Sequence, residues 1–146
     1  MANETNILLK QKQAPLNFEV HDELGHVLYT DSSPETGGVN GGFRPMTLLL
    51  AGVASCSSID VVLILQKQKY EVKDIQVAVK GVRADSIPSV FTDIHLAFHV
   101  EGEIPAEKVK RAIDLSMEKY CSVAAMLNKV ATITYEFTLN EEKVPS

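Results

Sequence analysis

The residues with the chemistry to consider first are Cys56 and Cys121, the chain's only cysteines. A free thiol can be a packing residue, a nucleophile, or half of a redox pair; ionisation decides which, because the thiolate is the reactive form. Cys56 lies about ten residues inside an apolar run, and a helix dipole acts only in the terminal turns. Burial and the nearby Asp60 are both expected to disfavour its thiolate. Read this way, Cys56 is a small buried hydrophobe. Cys121 falls at the predicted start of a short helix, with Lys119 and Lys129 near in sequence. Those features lower a thiol pKa, so Cys121 is expected to be the more acidic of the two. Asp60 on its apolar helix is expected to bond a nearby hydroxyl or backbone N–H.

The histidines suggest little. His95 and His99 share one strand face but stand four residues apart, roughly 13 Å at strand rise. They do not reach one zinc ion together. His21 and His26 flank a turn, and a hairpin surface accounts for them. No metal and no cofactor is expected.

The element that must position Cys56 is Arg44 to Lys69, RPMTLLLAGVASCSSIDVVLILQKQK. Pro45 suits a first helical turn. From Leu48 to Leu65 only Ser55, Ser57, Ser58 and Asp60 interrupt apolar or small residues. A helix apolar all round is expected to be buried on all sides. About 18 apolar residues is also the lower limit for crossing a bilayer. Asp60 would be costly there, and the flanks look like soluble strands, so a soluble buried helix is expected and no membrane.

Strands surround it. Asn17 to His21 alternates with period two, and Val27-Leu28-Tyr29 returns after the turn signal Asp22 to Gly25. Asp31 to Gly42 is rich in breakers; its glycines lack the lysine and hydroxyl ending of a phosphate loop. Val72–Val82 and Phe91–Val100 alternate clearly and are expected to pair as an antiparallel hairpin with one wet face. Gly102 and Pro105 open a second helix with the stripe Val109, Ala112, Ile113 and Met117. Tyr120-Cys121-Ser122 breaks it, and Val123 to Lys129 forms a further short helix. Thr132 to Leu139 is a last strand with Ile133, Tyr135, Phe137 and Leu139 inward; Glu141 to Ser146 is a polar tail. Elements in this order argue α+β with antiparallel sheet. A helix this apolar needs more cover than such sheets supply. The small residues Ala51, Gly52, Ala54, Ser55, Ser57 and Ser58 would let a second backbone approach, so a homodimer with a shared core is inferred.

Bulk properties bound the partners. The 146 residues are most simply one domain, 1–146. Hydrophobic content of 45% and charged content of 23% argue against extensive disorder. A net charge of −5 offers nothing to neutralise phosphates, so nucleic acid is not an expected partner. MANETNILLK has neither a basic n-region nor a long apolar h-region. A cytoplasmic protein with free or redox-active thiols is the expectation.

Together these residues resemble a known family. Gly41-Gly42-Phe43-Arg44-Pro45-Met46 leading into Leu48-Leu49-Leu50-Ala51, then Cys56-Ser57-Ser58-Ile59-Asp60-Val61, resembles the OsmC/Ohr family. So does Lys119-Tyr120-Cys121-Ser122-Val123-Ala124, followed by a short helix and a strand carrying Ile133-Thr134-Tyr135. The match in element order runs along essentially the whole chain, closest to the OsmC-like branch. The resemblance implies an intertwined homodimer of α+β subunits, two long helices at its centre and sites at the subunit interface. It implies thiol-dependent peroxidase activity on small organic hydroperoxides, with Cys56 peroxidatic and Cys121 resolving, and a dithiol reductant to reopen the disulfide. Two positions depart from the pattern. Thr47 stands where active members carry a glutamate, and no arginine precedes Arg44, leaving Lys10 and Lys12. Those departures favour a catalytically weakened dimer that senses redox state or binds a small apolar ligand; a structural dimer with inert thiols is the third reading.

Overall fold

The structure, a computed structural model, describes residues 3–141. Residues up to Leu49 form one compact unit and residues from Leu50 another. The polar tail predicted for 141–146 lies outside the described residues but for Glu141.

The first unit is a three-stranded antiparallel sheet in the order β1 (Leu8–Gln13), β2 (Asn17–His21), β3 (Val27–Thr30). The β2–β3 turn forms where the turn signal stands. Asp22 Oδ1 accepts from the N–H groups of Leu24 and His26 at 2.9 and 2.8 Å, and Gly25 supplies a positive φ of 93°. The breaker-rich loop is built on Asp31, whose carboxylate accepts from the backbone N–H groups of Ser32, Val39 and Gly41. Arg44 belongs to this unit and donates to Asn40 Oδ1.

The second unit carries the sheet β4 (Asp74–Arg83), β5 (Phe91–Glu101), β6 (Thr132–Leu139). The predicted β4–β5 hairpin runs antiparallel from Asp74↔Glu101 to Arg83↔Phe91. Its wet face carries Gln76, Ala78 and Lys80, all exposed, while Ile94, Leu96, Phe98 and Val100 are buried. The other pairs are antiparallel as expected, but β6 joins β5 in parallel, from Asp93↔Thr132 to Val100↔Leu139. Parallel strands need a crossover. Helix α2 (Ala106–Leu115), a π turn at Ser116–Tyr120 and helix α3 (Ser122–Leu127) provide it. Val109, Ala112 and Ile113 of α2 complete the buried core with the β5 side chains. The result is the α+β architecture expected.

Helix α1 (Pro45–Lys67) starts at the predicted proline. Its burial differs from expectation. Only Val53, Ser57, Val61 and Leu65, one stripe at spacing four, are buried. Ala51, Ser55, Ile59 and Leu63 lie two residues out of phase, on the opposite side, and are exposed. The reason is geometric: within one chain, cover reaches one side of a helix that is apolar on both. Its length and hydropathy would suit a bilayer span. The buried stripe and the polar contact of Asp60 described below tie its second half into the folded unit.

Candidate functional site

Cys56 and Asp60 are one turn apart on α1, so the helix presents both side chains together. Cys121 comes from a distant part of the chain, at the N-cap immediately before α3. Cys56 Sγ, Cys121 Sγ and a carboxylate oxygen of Asp60 all lie within 4.8 Å of one another. Cys56 and Asp60 are half-buried, and Cys121 is 3% exposed. Neither cysteine is in a disulfide.

The π turn holds this arrangement. Ser116, at its start, is fully buried and donates its hydroxyl to Asp60 Oδ2 at 2.9 Å. This is the hydroxyl partner expected for Asp60. The Ser116 carbonyl accepts from the Cys121 N–H at 2.7 Å. One residue therefore orients the carboxylate and anchors the second cysteine. Inserted π turns occur disproportionately at functional sites. Cys121 then caps α3, its Sγ accepting from the Ala124 N–H at 3.3 Å.

The electrostatics correct one expectation. Burial pushes the Cys121 thiol up to about 11; the Ala124 N–H pulls down, while Cys56 and Asp60 push up again. Cys121 is not an acidic thiol. The lysines invoked from sequence do not serve it: Lys119 Nζ lies 5.3 Å from the centroid of the Tyr120 ring, and Lys129 is exposed. Asp60 makes no ion pair among the described residues; the Ser116 hydroxyl donates to it.

The histidines stay outside the cluster. On the sheet face His95 Nε2 donates to Glu136 Oε1 at 2.7 Å, with the Thr134 hydroxyl 2.7 Å from Nδ1; His99 is buried, and its Nδ1 meets the Thr138 hydroxyl at 2.7 Å. His21 and His26 pair with Glu19 and Asp22. Sequence reasoning found both cysteines and a hydroxyl partner for Asp60. It missed Asp60 as a member of the cluster, and Ser116 altogether. The i,i+4 spacing of Cys56 and Asp60 was the available signal.

This is an α+β protein with a cysteine inside its longest helix and a second cysteine brought beside it. A family model described as OsmC-like protein matches residues 37–136, a span that takes in Cys56, Asp60 and Cys121. The chain belongs to the OsmC-like family. Protein YhfA of Escherichia coli strain K12 is 46% identical over 94 residues, 64% of this chain and 70% of that protein. A hypothetical protein from Aquifex aeolicus VF5 superposes with a TM-score of 0.79 at 30% identity, covering 96% of this chain and 100% of that one. An organic hydroperoxide resistance protein from Legionella pneumophila shares the fold at a TM-score of 0.71 and 17% identity, over 94% of this chain and 98% of that chain.

Proposed function

We propose that the protein reduces small organic hydroperoxides through Cys56 and Cys121. The observation that carries this reading is the pair of free sulfurs within 4.8 Å, one half-buried and one buried. Relatives of the same fold that are described as organic hydroperoxide resistance proteins support it. The more accessible thiol, Cys56, is the one a peroxide meets first. Its thiolate attacks the O–O bond, giving Cys56 sulfenic acid and an alcohol. The Cys121 sulfur displaces the sulfenic oxygen, forming the disulfide and releasing water. A dithiol reductant restores both thiols. Leu and Val side chains of α1 supply an apolar wall for the alkyl part. We further infer that two copies pair through the exposed stripe of α1.

A second reading, a weakened redox sensor or apolar-ligand binder, is favoured by Thr47, by the engagement of Arg44 with Asn40, and by a resolving thiol pushed up to about 11. Intact-mass spectrometry separates the two. Reduced protein is titrated with an organic hydroperoxide beside Cys56→Ser and Cys121→Ser. A rapid, stoichiometric loss of two hydrogens, abolished in Cys56→Ser, is expected. Thiols that survive excess peroxide for many minutes would sink the peroxidase reading and leave the second.

A further inference from the structure

The dithiol reaction has no use for the carboxylate that completes the cluster. We propose that the reduced protein binds one thiophilic divalent cation, of which Zn²⁺ is the type, through Cys56 Sγ, Cys121 Sγ and a carboxylate oxygen of Asp60. The site shares its cysteines with the reaction proposed above, but it rests on ligand geometry and not on peroxide turnover.

Three observations carry it. The first is spacing. Tetrahedral zinc, with bonds of about 2.3 Å to sulfur and 2.0–2.2 Å to oxygen, needs ligand atoms about 3.5–3.8 Å apart. The three atoms already lie within 4.8 Å of one another, so small side-chain rotations close the set. The second is orientation. Ligating carboxylates are held by hydrogen bonds from behind, and the buried Ser116 hydroxyl does this for Asp60 Oδ2 at 2.9 Å, on the turn that also fixes the Cys121 N–H. The third is charge. All three groups are neutral or negative, and among the described residues no Lys, Arg or His forms an ion pair with Asp60.

The donor set selects the ion. Two sulfurs exclude magnesium and calcium, which take oxygen ligands, and favour zinc and its neighbours. Three protein ligands leave the fourth position to water or a small ligand. Binding converts two S–H groups into two metal–sulfur bonds and releases two protons. Neither sulfur is then free to attack a peroxide, so the metal-loaded and disulfide states exclude each other.

The test is anaerobic titration of reduced, metal-free protein with Co²⁺, followed by displacement with Zn²⁺. One equivalent is expected to bind, with a sulfur-to-cobalt charge-transfer band and the intense visible bands of four-coordinate cobalt. Cys56→Ser, Cys121→Ser and Asp60→Asn each weaken Zn²⁺ uptake against a chromophoric chelator, and Ser116→Ala weakens it about 10- to 100-fold, as loss of a supporting bond does. Disulfide protein binds nothing at the site. The proposal fails if reduced wild-type protein, its thiols shown free by a thiol reagent, takes up no Co²⁺. It fails equally if Cys56→Ser or Asp60→Asn binds as tightly as wild type. Stoichiometric uptake by thiols inert to peroxide would overturn the peroxidase reading and support this one; rapid peroxide oxidation without uptake would do the reverse.

Discussion

At the scale of single residues, the site depends on how burial divides labour between two thiols. Cys121 keeps its proton because the charged form loses water on burial. Its thiol sits at about 11 against an ordinary 9.0. The sign of the consequence is fixed. Between those values the unfolded chain holds fewer protons than the folded one, so this residue's contribution to stability falls as pH rises through that window. The same shift governs reactivity. Alkylation of reduced protein with iodoacetamide, followed by peptide mass spectrometry, is expected to modify Cys56 first. The rate at Cys121 should climb about tenfold per pH unit until the thiol ionises near 11. A Cys121 that reacts at pH 7 like an unburied cysteine would refute this division. The misreading from sequence has a plain cause. Lys119 and Lys129 are near in sequence but are not among the groups that act on the thiol, whereas burial raises its pKa most, the Ala124 N–H opposes that, and Cys56 and Asp60, about sixty residues away along the chain, add to the rise. The proximity of the cysteines came from family resemblance and not from spacing, because residues on two separate helices meet only through the tertiary fold.

At the scale of elements, glycines report packing that the pattern of polar and apolar residues does not encode. Gly52 lies inside α1, and a methyl added there would meet Val123 Cγ1 at 3.6 Å, an ordinary contact. Glycine in a helix interior costs about 1 kcal/mol relative to alanine, so Gly52→Ala should raise the thermal midpoint by a few degrees, about what 1 kcal/mol gives at this size. Gly81 in β4 is the opposite case. A methyl there would stand 2.5 Å from Phe91 Cε1 and 3.2 Å from Leu50 Cδ1. Phe91 is buried, so Gly81→Ala should cost about 1–3 kcal/mol, the range for overpacking. Calorimetry of both variants checks the pair; a midpoint shift of the same sign in both would contradict the packing described. The strands themselves were legible because period two matches one-sided burial residue for residue in β4 and β5. The parallel pairing of β6 was not, since Ile133, Tyr135, Phe137 and Leu139 alternate identically in either direction. Nor was the π turn, where one extra residue per turn leaves no mark on so short a stretch.

At the scale of the whole molecule, the exposed side of α1 is the feature that would govern assembly. Ile59 is 59% exposed and Leu63 51%, one turn apart on the same face, with the small residues Ala51 and Ser55 continuing it. Fully covering one such side chain stabilises by about 1.5–3 kcal/mol. The face repeats along a helix about 35 Å long at 1.5 Å per residue, which is long enough for a stable interface of about 1,000 Å² or more once flanking residues join. A second copy of the same helix is the simplest complement, because a two-fold axis lays the same stripe against itself and the small residues allow close approach. Light scattering after gel filtration should then give twice the 16.0 kDa of one chain. Ile59→Asp and Leu63→Asp place a charge in the middle of that contact without touching the buried stripe, and each should shift the mass toward one chain while leaving the circular dichroism of the folded unit. A dimer that persists in both variants would move the interface elsewhere; a wild-type mass of one chain would leave the stripe bare and end the argument for pairing.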